Sequence, residues 1–412
     1  MSHTDPEATH LKDIAGSKQL KILMVAPQPF FSARGTPFSV LHRIRALVEK
    51  GYRVDLITYP FGEDIEMDGL RIFRSRSLPF IKKIKIGPSI PKLLLDIPLY
   101  FKTTKALKNN RYDILHSHEE AAFFCVRLAK KHSLIHIYDM HSSLPQQLSN
   151  FKAFNLGIFR SIFEGLENYV LKTCSGVITI CDDLARVVHE KCPDKPHRMI
   201  ENIGEDNKVF KPVDEDIVGN LSLEKKQILL YTGTFETYQG LDLLLESMVL
   251  VMKESPDAVL ILVGGTPEQV EYYKNMSRQL GIEDAVRYVG TVHPSRIPNF
   301  LKLADVIVSP RSRGTNTPLK IYGYMRTDVP LVATDRHTHT QILNSEMAEL
   351  VPADREGLAG GINRVLTDKT YAKKIAGAAK QFADDNFSDE KYIGMVAGLY
   401  DDVLSGQQAK TG

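Results

Sequence analysis

Short apolar runs alternate with helix-length amphipathic segments along most of the chain. Lys21 to Ala26 (KILMVA) is the first such run, and it reads as a parallel strand covered on both faces. Arg53 to Thr58, Tyr112 to His116, Leu134 to Asp139 and Gly176 to Cys181 repeat the pattern, with Phe38 to Lys50, Glu119 to Lys131 and Leu156 to Cys174 as the helices between them. The second half follows the same plan: Gln227 to Thr232, Ala258 to Val263, Val286 to Val289, Asp305 to Ser309 and Pro330 to Thr334 are its strands. Tyr371 to Asp385 and Asp389 to Leu404 are amphipathic helices with no strand after them. Strands alternating with helices predict an α/β protein built from βαβ units, here two Rossmann-like, doubly wound parallel-sheet domains facing a cleft.

Between Gly204 and Ser222 the periodicity fades into polar and turn residues, which marks a domain break. The expected organisation is a disordered leader over 1–19, a first domain over 20–205, a second over 206–385, and a C-terminal helix over 386–412 that crosses back to the first domain.

Composition narrows the class. Of 412 residues, 43% are hydrophobic and 25% charged, which excludes wholesale disorder and fibrous repeats. The first twenty positions are polar where a signal peptide would be apolar, and no run of about 18 apolar residues follows, so a cytoplasmic enzyme is expected. Four cysteines without a Cys-x-x-Cys pair read as buried thiols. A net charge of +2 argues against nucleic acid as a partner, yet Arg71 to Arg111 holds eleven Lys or Arg against one acid, Asp96. Within residues 78–111, Lys82, Lys83, Lys85 and Lys92 interleave with Phe80, Ile81, Ile84, Leu93 to Leu95, Tyr100 and Phe101. Such a segment either lies against an anionic membrane or forms a core helix with a solvated basic face.

Ligands of open parallel sheets sit outside the carboxyl ends of the strands, so the chemistry is sought in the segments that follow them. Gly35 comes after the first strand, in PFFSARGTP, where a glycine lets the backbone approach a phosphate at a helix start. His116 and His118 follow one strand, and His136 and His141 end another; a neutral imidazole there can bond a sugar hydroxyl or shuttle a proton. His132 and His136 are better read as satisfied core or loop residues. No His-x-x-x-His pair with a nearby carboxylate appears, so neither a metal nor another cofactor is expected. In the second half Gly233 and Thr234 open the loop after its first strand, and SPRSRGTNTPLK places Arg311, Arg313 and Gly314 ahead of Thr315, Asn316, Thr317, Pro318, Leu319 and Lys320. There Thr317 is expected to cap a helix with Pro318 in its first turn, and Arg311, Arg313 and Lys320 to give countercharge to a diphosphate.

These motifs together resemble the GT-B fold glycosyltransferases, specifically the large retaining family 4 that uses nucleotide-sugar donors. The resemblance rests on PFFSARGTP, DILHSHE, DMHSS, GVITICDDLARVV, IENIGEDNKVFKP, YTGTFETYQGLDLLLES, LVGG, VRYVGTV and ADVIVSPRSRGTNTPLKIYGYMRTDVPLVATD, in order along nearly the whole chain. It implies an acceptor-binding first domain, a donor-binding second domain, and metal-independent transfer of a hexose-type sugar to an acceptor hydroxyl with retention, in cell-surface glycan or glycolipid synthesis. The acceptor it implies is a glycan, a lipid-linked sugar or a small molecule. It further implies that His141 serves the donor sugar and that Gly35 donates to the diphosphate; His118, from its place at a strand end, is a second catalytic candidate.

Departures from the family pattern are equally specific. Two glutamates usual in the family fall on Thr315 and Gly323, and the usual Arg and Lys of the donor loop fall on Glu236 and Gln239. Four polar contacts are altered, each able to contribute about 1.5–3 kcal/mol if charge-assisted. Arg311, Arg313 and Lys320 offer replacement cations, Thr315 to Thr317 offer polar groups for the sugar, and Gly323 leaves room for a base or ribose held differently. A catalytically silent relative that binds nucleotide or glycan as a regulatory subunit is the alternative. A sugar-nucleotide 2-epimerase, using Glu119 and Glu120 as acid and base, is a more distant one.

Overall fold

A computed structural model describes residues 19–32, 35–81, 84, 89–143, 157–201, 221–314 and 316–411. The chain divides into two compact units, one of residues 1–32, 36–201 and 389–412 and the other of residues 33–35 and 202–388. The leader and the interdomain segment that the sequence marks out lie outside the described residues, apart from their edges.

In the first unit seven parallel strands form a sheet in the order β3-β2-β1-β4-β5-β6-β7. They are β1 Lys21–Ala26, β2 Arg53–Thr58, β3 Leu70–Arg74, β4 Ile114–His118, β5 Ile135–Met140, β6 Gly176–Thr179 and β7 His197–Met199. Helices α1 Gly35–Glu49, α2 Ile90–Asn109, α3 Ala122–Lys131, α4 Gly157–Thr173 and α5 Asp182–Lys191 connect them. Strands β1, β4 and β5 are buried along almost their whole length, as their apolar runs require.

The second unit holds a six-stranded parallel sheet in the order β10-β9-β8-β11-β12-β13. Its strands are β8 Gln227–Thr232, β9 Ala258–Val263, β10 Val286–Gly290, β11 Val306–Ser309, β12 Leu331–Thr334 and β13 Glu349–Val351. Its helices are α6 Leu241–Glu254, α7 Pro267–Gln279, α8 Ile297–Leu303, α9 Leu319–Met325, α10 His337–Thr340, α11 Arg355–Thr367 and α12 Lys369–Asn386. Leu229, Tyr231, Leu244, Met248, Leu260, Val308 and Ile362 lie in its core.

The last helix, α13 Asp389–Thr411, belongs to the first unit. Arg45 on α1 holds its first residue, Asp389, through two hydrogen bonds of 3.0 and 2.8 Å. Among the described residues no helix is long and apolar enough to cross a membrane.

The strand orders mark where open parallel sheets commonly take ligands. Strand order reverses between β1 and β4 in the first sheet and between β8 and β11 in the second. At such a switch point the two neighbouring loops diverge to opposite faces and leave a crevice at the carboxyl ends. The segments that end there lead to Gly35, include His118, open on Gly233, and run from Pro310 to Lys320.

Candidate functional site

Period-two alternation builds the first unit's polar centre. His116 and His118 point to one face of β4, and Asp139, the register partner of His118, points to the same face of β5. His141 follows two residues later. The three rings form a ladder, with centroids 4.7 Å apart from His116 to His118 and 5.2 Å from His118 to His141. Ser117 and His136 fall on the opposite face and bond each other at 2.8 Å, and burial pushes His136 down to about 3.

Asp139 is the charge at the middle of this face. Arg43 of α1 donates to its Oδ2 at 2.8 Å, with neither side chain exposed to solvent. The same guanidinium donates to the Tyr392 hydroxyl of α13 and to the Ile200 carbonyl, at 2.5 and 3.0 Å. Burial opposes the Asp139 carboxylate, but Arg43 and then His141 outweigh it and hold it well below the usual carboxylate range. Burial also lowers His116 and His118, more than Asp139 raises them. Tyr400 of α13 closes the far end, its hydroxyl 2.6 Å from His116 Nδ1. His116, His118 and Asp139 are close enough to share an ion, with ligand atoms within 4.8 Å of one another. Arg43 already neutralises Asp139, however, and a divalent ion there would press two further positive charges against a buried guanidinium.

In the second unit two loops meet backbone to backbone. Gly240 ends the loop after β8 with φ +76°, and a side chain there would come within 2.1 Å of the Pro310 carbonyl in the loop after β11. Lys320 on α9 bridges the same loops: its Nζ donates to the Thr232 carbonyl at 3.2 Å and lies 3.7 Å from the Tyr231 ring centre. Tyr324, one turn on, bonds the Thr232 amide and hydroxyl at 3.1 and 2.8 Å. Desolvation, then Arg311, push the Lys320 ammonium well below its ordinary range. Arg311 lies over the Tyr238 ring at 5.1 Å and donates from Nε to the Arg313 carbonyl.

Comparison with known proteins gives the family. The model of glycosyltransferase family 4 matches residues 33–203, and that of glycosyl transferases group 1 matches residues 213–382. The chain belongs to the GT-B glycosyltransferases of group 1. The glycosyltransferase is similar to the phosphatidyl-myo-inositol mannosyltransferase of Mycobacterium tuberculosis, with 22% identity over 373 residues, 87% of this chain and 91% of the relative. Its fold matches the sucrose-phosphate synthase of Thermosynechococcus elongatus with TM-score 0.73 and 20% identity, over 94% of this chain and all of the other. It also matches Anabaena HepE, solved in complex with UDP-glucose, with TM-score 0.70 and 17% identity, over 93% of this chain and all of the other.

The structure places the glycosyltransferase's candidate residues as follows. His118 and His141 lie in direct contact, 2.9 Å from Nδ1 to Nε2. Gly35 opens α1, and a side chain there would meet nothing within 4 Å, so packing alone does not call for the glycine. Gly233 lies beside Lys320: a Cβ there would stand 3.6 Å from its Nζ. The Thr234 carbonyl accepts from Tyr231. Arg311 and Lys320 are half-buried and Arg313 is exposed. The Asn316 carbonyl accepts from Thr338, and Gly323 lies within α9 between buried Tyr322 and Tyr324. Thr315 lies outside the described residues.

Two expectations need correction. Thr317 does not cap the helix and Pro318 is not in its first turn: α9 starts at Leu319, with Pro318 as its N-cap residue in extended conformation, φ −63° and ψ 129°. Proline's fixed φ suits either position, and the extended ψ moves the start one residue on. Lys92, read as part of a basic surface, instead turns inward, 3.9 Å from Glu120 and only 15% exposed.

Asp139, Arg43, Tyr392, Tyr400 and Tyr324 were not singled out from the sequence. Arg43 carries a signal, because it shares a helical stripe with Val40 and Leu47, and a charge on an apolar stripe demands a buried partner.

Breaking the Arg43–Asp139 pair leaves a lone charge where no water reaches. Arg43→Met is expected to destabilise the first unit by about 3–5 kcal/mol in denaturant titration. Arg43→Met combined with Asp139→Leu should recover much of that loss, and a double variant as unstable as the single one would contradict this.

Proposed function

We propose that this glycosyltransferase moves a hexose-type sugar from a nucleoside-diphosphate donor to an acceptor hydroxyl, with retention and without a metal ion. The observation that carries the reading is the half-buried ammonium of Lys320 at the switch point of the second sheet, beside Gly233 and Arg311. A buried cation that burial tends to discharge is held ready for an anion, and a departing diphosphate supplies one. Arg311, Arg313 and Lys320 bring the countercharge that a divalent ion would otherwise provide. The leaving phosphate then takes the acceptor proton as the new bond forms on the face it vacates. His141, on the first unit, serves the sugar by hydrogen bonding while positive charge develops at its anomeric carbon. HepE's complex with UDP-glucose is in keeping with a nucleotide-sugar donor here.

One feature favours the silent, nucleotide-binding alternative. Glu236 places a carboxylate in the donor loop, where it accepts from Gln269 at 3.4 Å. A carboxylate close to a diphosphate would repel it, so donor affinity rests on the three cations.

Binding decides first. Calorimetric titration with UDP, GDP, ADP and dTDP above pH 7.5, where the terminal phosphate is fully ionised, is expected to show binding of at least one. A bound diphosphate raises the pKa of Lys320, so binding takes up a proton, and affinity should weaken as pH climbs through the lowered pKa of the free form, approaching tenfold per pH unit. Lys320→Met should weaken binding roughly 10- to 150-fold and flatten that slope. Absence of binding, or a slope that persists in Lys320→Met, would count against the donor site.

For the acceptor, we propose a lipid-linked or membrane-borne hydroxyl reached by peripheral contact through residues 78–111. On α2 the inward stripe is Leu95, Leu99, Thr103 and Leu107, yet the outward face is also apolar, with Leu93 48%, Ile97 54% and Phe101 65% exposed. Exposed Lys105 and Lys108 continue that face by helical spacing. Lys82, Lys83 and Lys85 lie outside the described residues. In flotation with vesicles of phosphatidylcholine and phosphatidylglycerol at low salt the protein should co-migrate, and Ile97→Glu with Phe101→Glu should abolish this. No flotation of the unaltered protein would remove the membrane from the account.

A further inference from the structure

The loop from Pro310 to Lys320 leaves the end of β11, and the neighbouring strand β12 ends on Thr334. The side chain of His339, from the four-residue helix α10, joins these two strand ends and has no exposure to solvent. Its Nδ1 lies 2.8 Å from the Thr334 carbonyl and 3.2 Å from the Thr334 hydroxyl, and its Nε2 lies 2.9 Å from the hydroxyl of Ser309, the last residue of β11. A carbonyl can only accept, so Nδ1 carries the proton. Burial, helped by Lys320 and Arg311 and opposed by the bond to Thr334, pushes the ring down to about 4, so near pH 7 it is uncharged and Nε2 accepts from Ser309. The chain of bonds continues: with the ring's N–H facing its oxygen, the Thr334 hydroxyl donates to the Arg311 carbonyl at 2.6 Å.

We infer that His339 is a positioning residue for Arg311: its ring ties the ends of β11 and β12 together and turns the Thr334 hydroxyl onto the Arg311 carbonyl, so that the loop holds its cation in one place before an anion binds. The rest of the loop is built around the same arginine. Arg311 Nε donates to the Arg313 carbonyl at 2.8 Å, and the guanidinium lies over the Tyr238 ring. Gly314, at φ +131°, leaves the space that this guanidinium occupies, since a side chain there would collide with Nη2. The Ser312 amide donates to the Tyr238 carbonyl at 3.1 Å, and the hydroxyl of Thr338, next to His339 on α10, donates to the Asn316 carbonyl at 2.7 Å. A cation fixed in this way has little left to order when a multiply charged ligand arrives, which favours affinity. The placement of the loop stands on these bonds alone; its consequence for donor binding rests on the role proposed for Arg311.

The test uses the full-length protein and two readouts. Amide hydrogen exchange is followed by mass spectrometry in peptides covering the Ser312 amide and, as a reference, in peptides from β8 and β9. Affinity is measured by calorimetry for whichever of UDP, GDP, ADP and dTDP binds most tightly. In His339→Leu, exchange in the loop should speed up roughly tenfold or more while the reference peptides are unchanged, and affinity should fall roughly tenfold. His339→Asn, whose amide can still donate from the position of Nδ1, should stay within about threefold on both. In an Arg311→Met background, His339→Leu should cost less than about twofold in affinity, because the cation it positions is gone. Thr334→Val removes only the hydroxyl; it should behave as His339→Leu does, and it decides if that variant fails to fold. Loop exchange unchanged in a folded His339→Leu, or in Thr334→Val, overturns the inference. So does a His339→Asn as impaired as His339→Leu, or an affinity loss as large in the Arg311→Met background as in the unaltered protein. If exchange responds as stated but none of the four nucleotides binds the unaltered protein, the donor reading falls and the positioning of the loop stands.

Discussion

Arg43 and Asp139 meet where no water reaches, and their pairing ties together elements that are far apart in the chain. The arginine comes from the helix after β1, the carboxylate from β5, and the hydroxyl and carbonyl that share the guanidinium come from α13 and from Ile200. An ion pair so buried adds little net stability over an apolar pair of similar volume, because desolvating both charges offsets most of their attraction. Its value is geometric. The carboxylate can occupy only one position, and three histidines stack along the same sheet face in register with it. The first unit thus presents a preorganised polar surface gathered around a single buried charge.

The second unit works by the opposite arrangement. The cations at its switch point have no carboxylate partner among the described residues: Lys320 leans on a tyrosine ring and a carbonyl, and Arg311 on another ring and another carbonyl. Such groups are poorly compensated until an anion arrives. A carboxylate-centred surface in one unit and a cation-centred one in the other suit the proposed transfer, in which one ligand is a multiply charged leaving group and the other carries only hydroxyls.

Much of the architecture was legible because buried parallel strands must be apolar throughout. The runs KILMVA, QILLYT and AVLILV occupy β1, β8 and β9 with the ends the sequence indicates. The strands missed were β3, β7 and β13, all at sheet edges, where one neighbour is absent and polar residues such as Arg71 and His197 are tolerated. His118 and His141 stood out as histidines at strand ends. Asp139 did not, since a single acid at a strand terminus looks like a turn residue until the register sets it opposite His118. Tyr392 and Tyr400 lie eight apart on one helix face, a faint sign of a shared buried side, but nothing in the sequence connects them to Arg43 and His116 across some 350 and 280 residues.

The claim that these two surfaces serve sugar transfer is tested most directly by mixing the protein with a panel of nucleotide sugars and measuring the nucleoside diphosphate released, with His141→Gln as the control. The account predicts release from at least one donor and a loss of about 100-fold or more in the variant. A protein that binds nucleotide tightly yet releases no diphosphate from any donor, with or without acceptor lipid, would contradict it and leave a nucleotide-binding relative that does no chemistry.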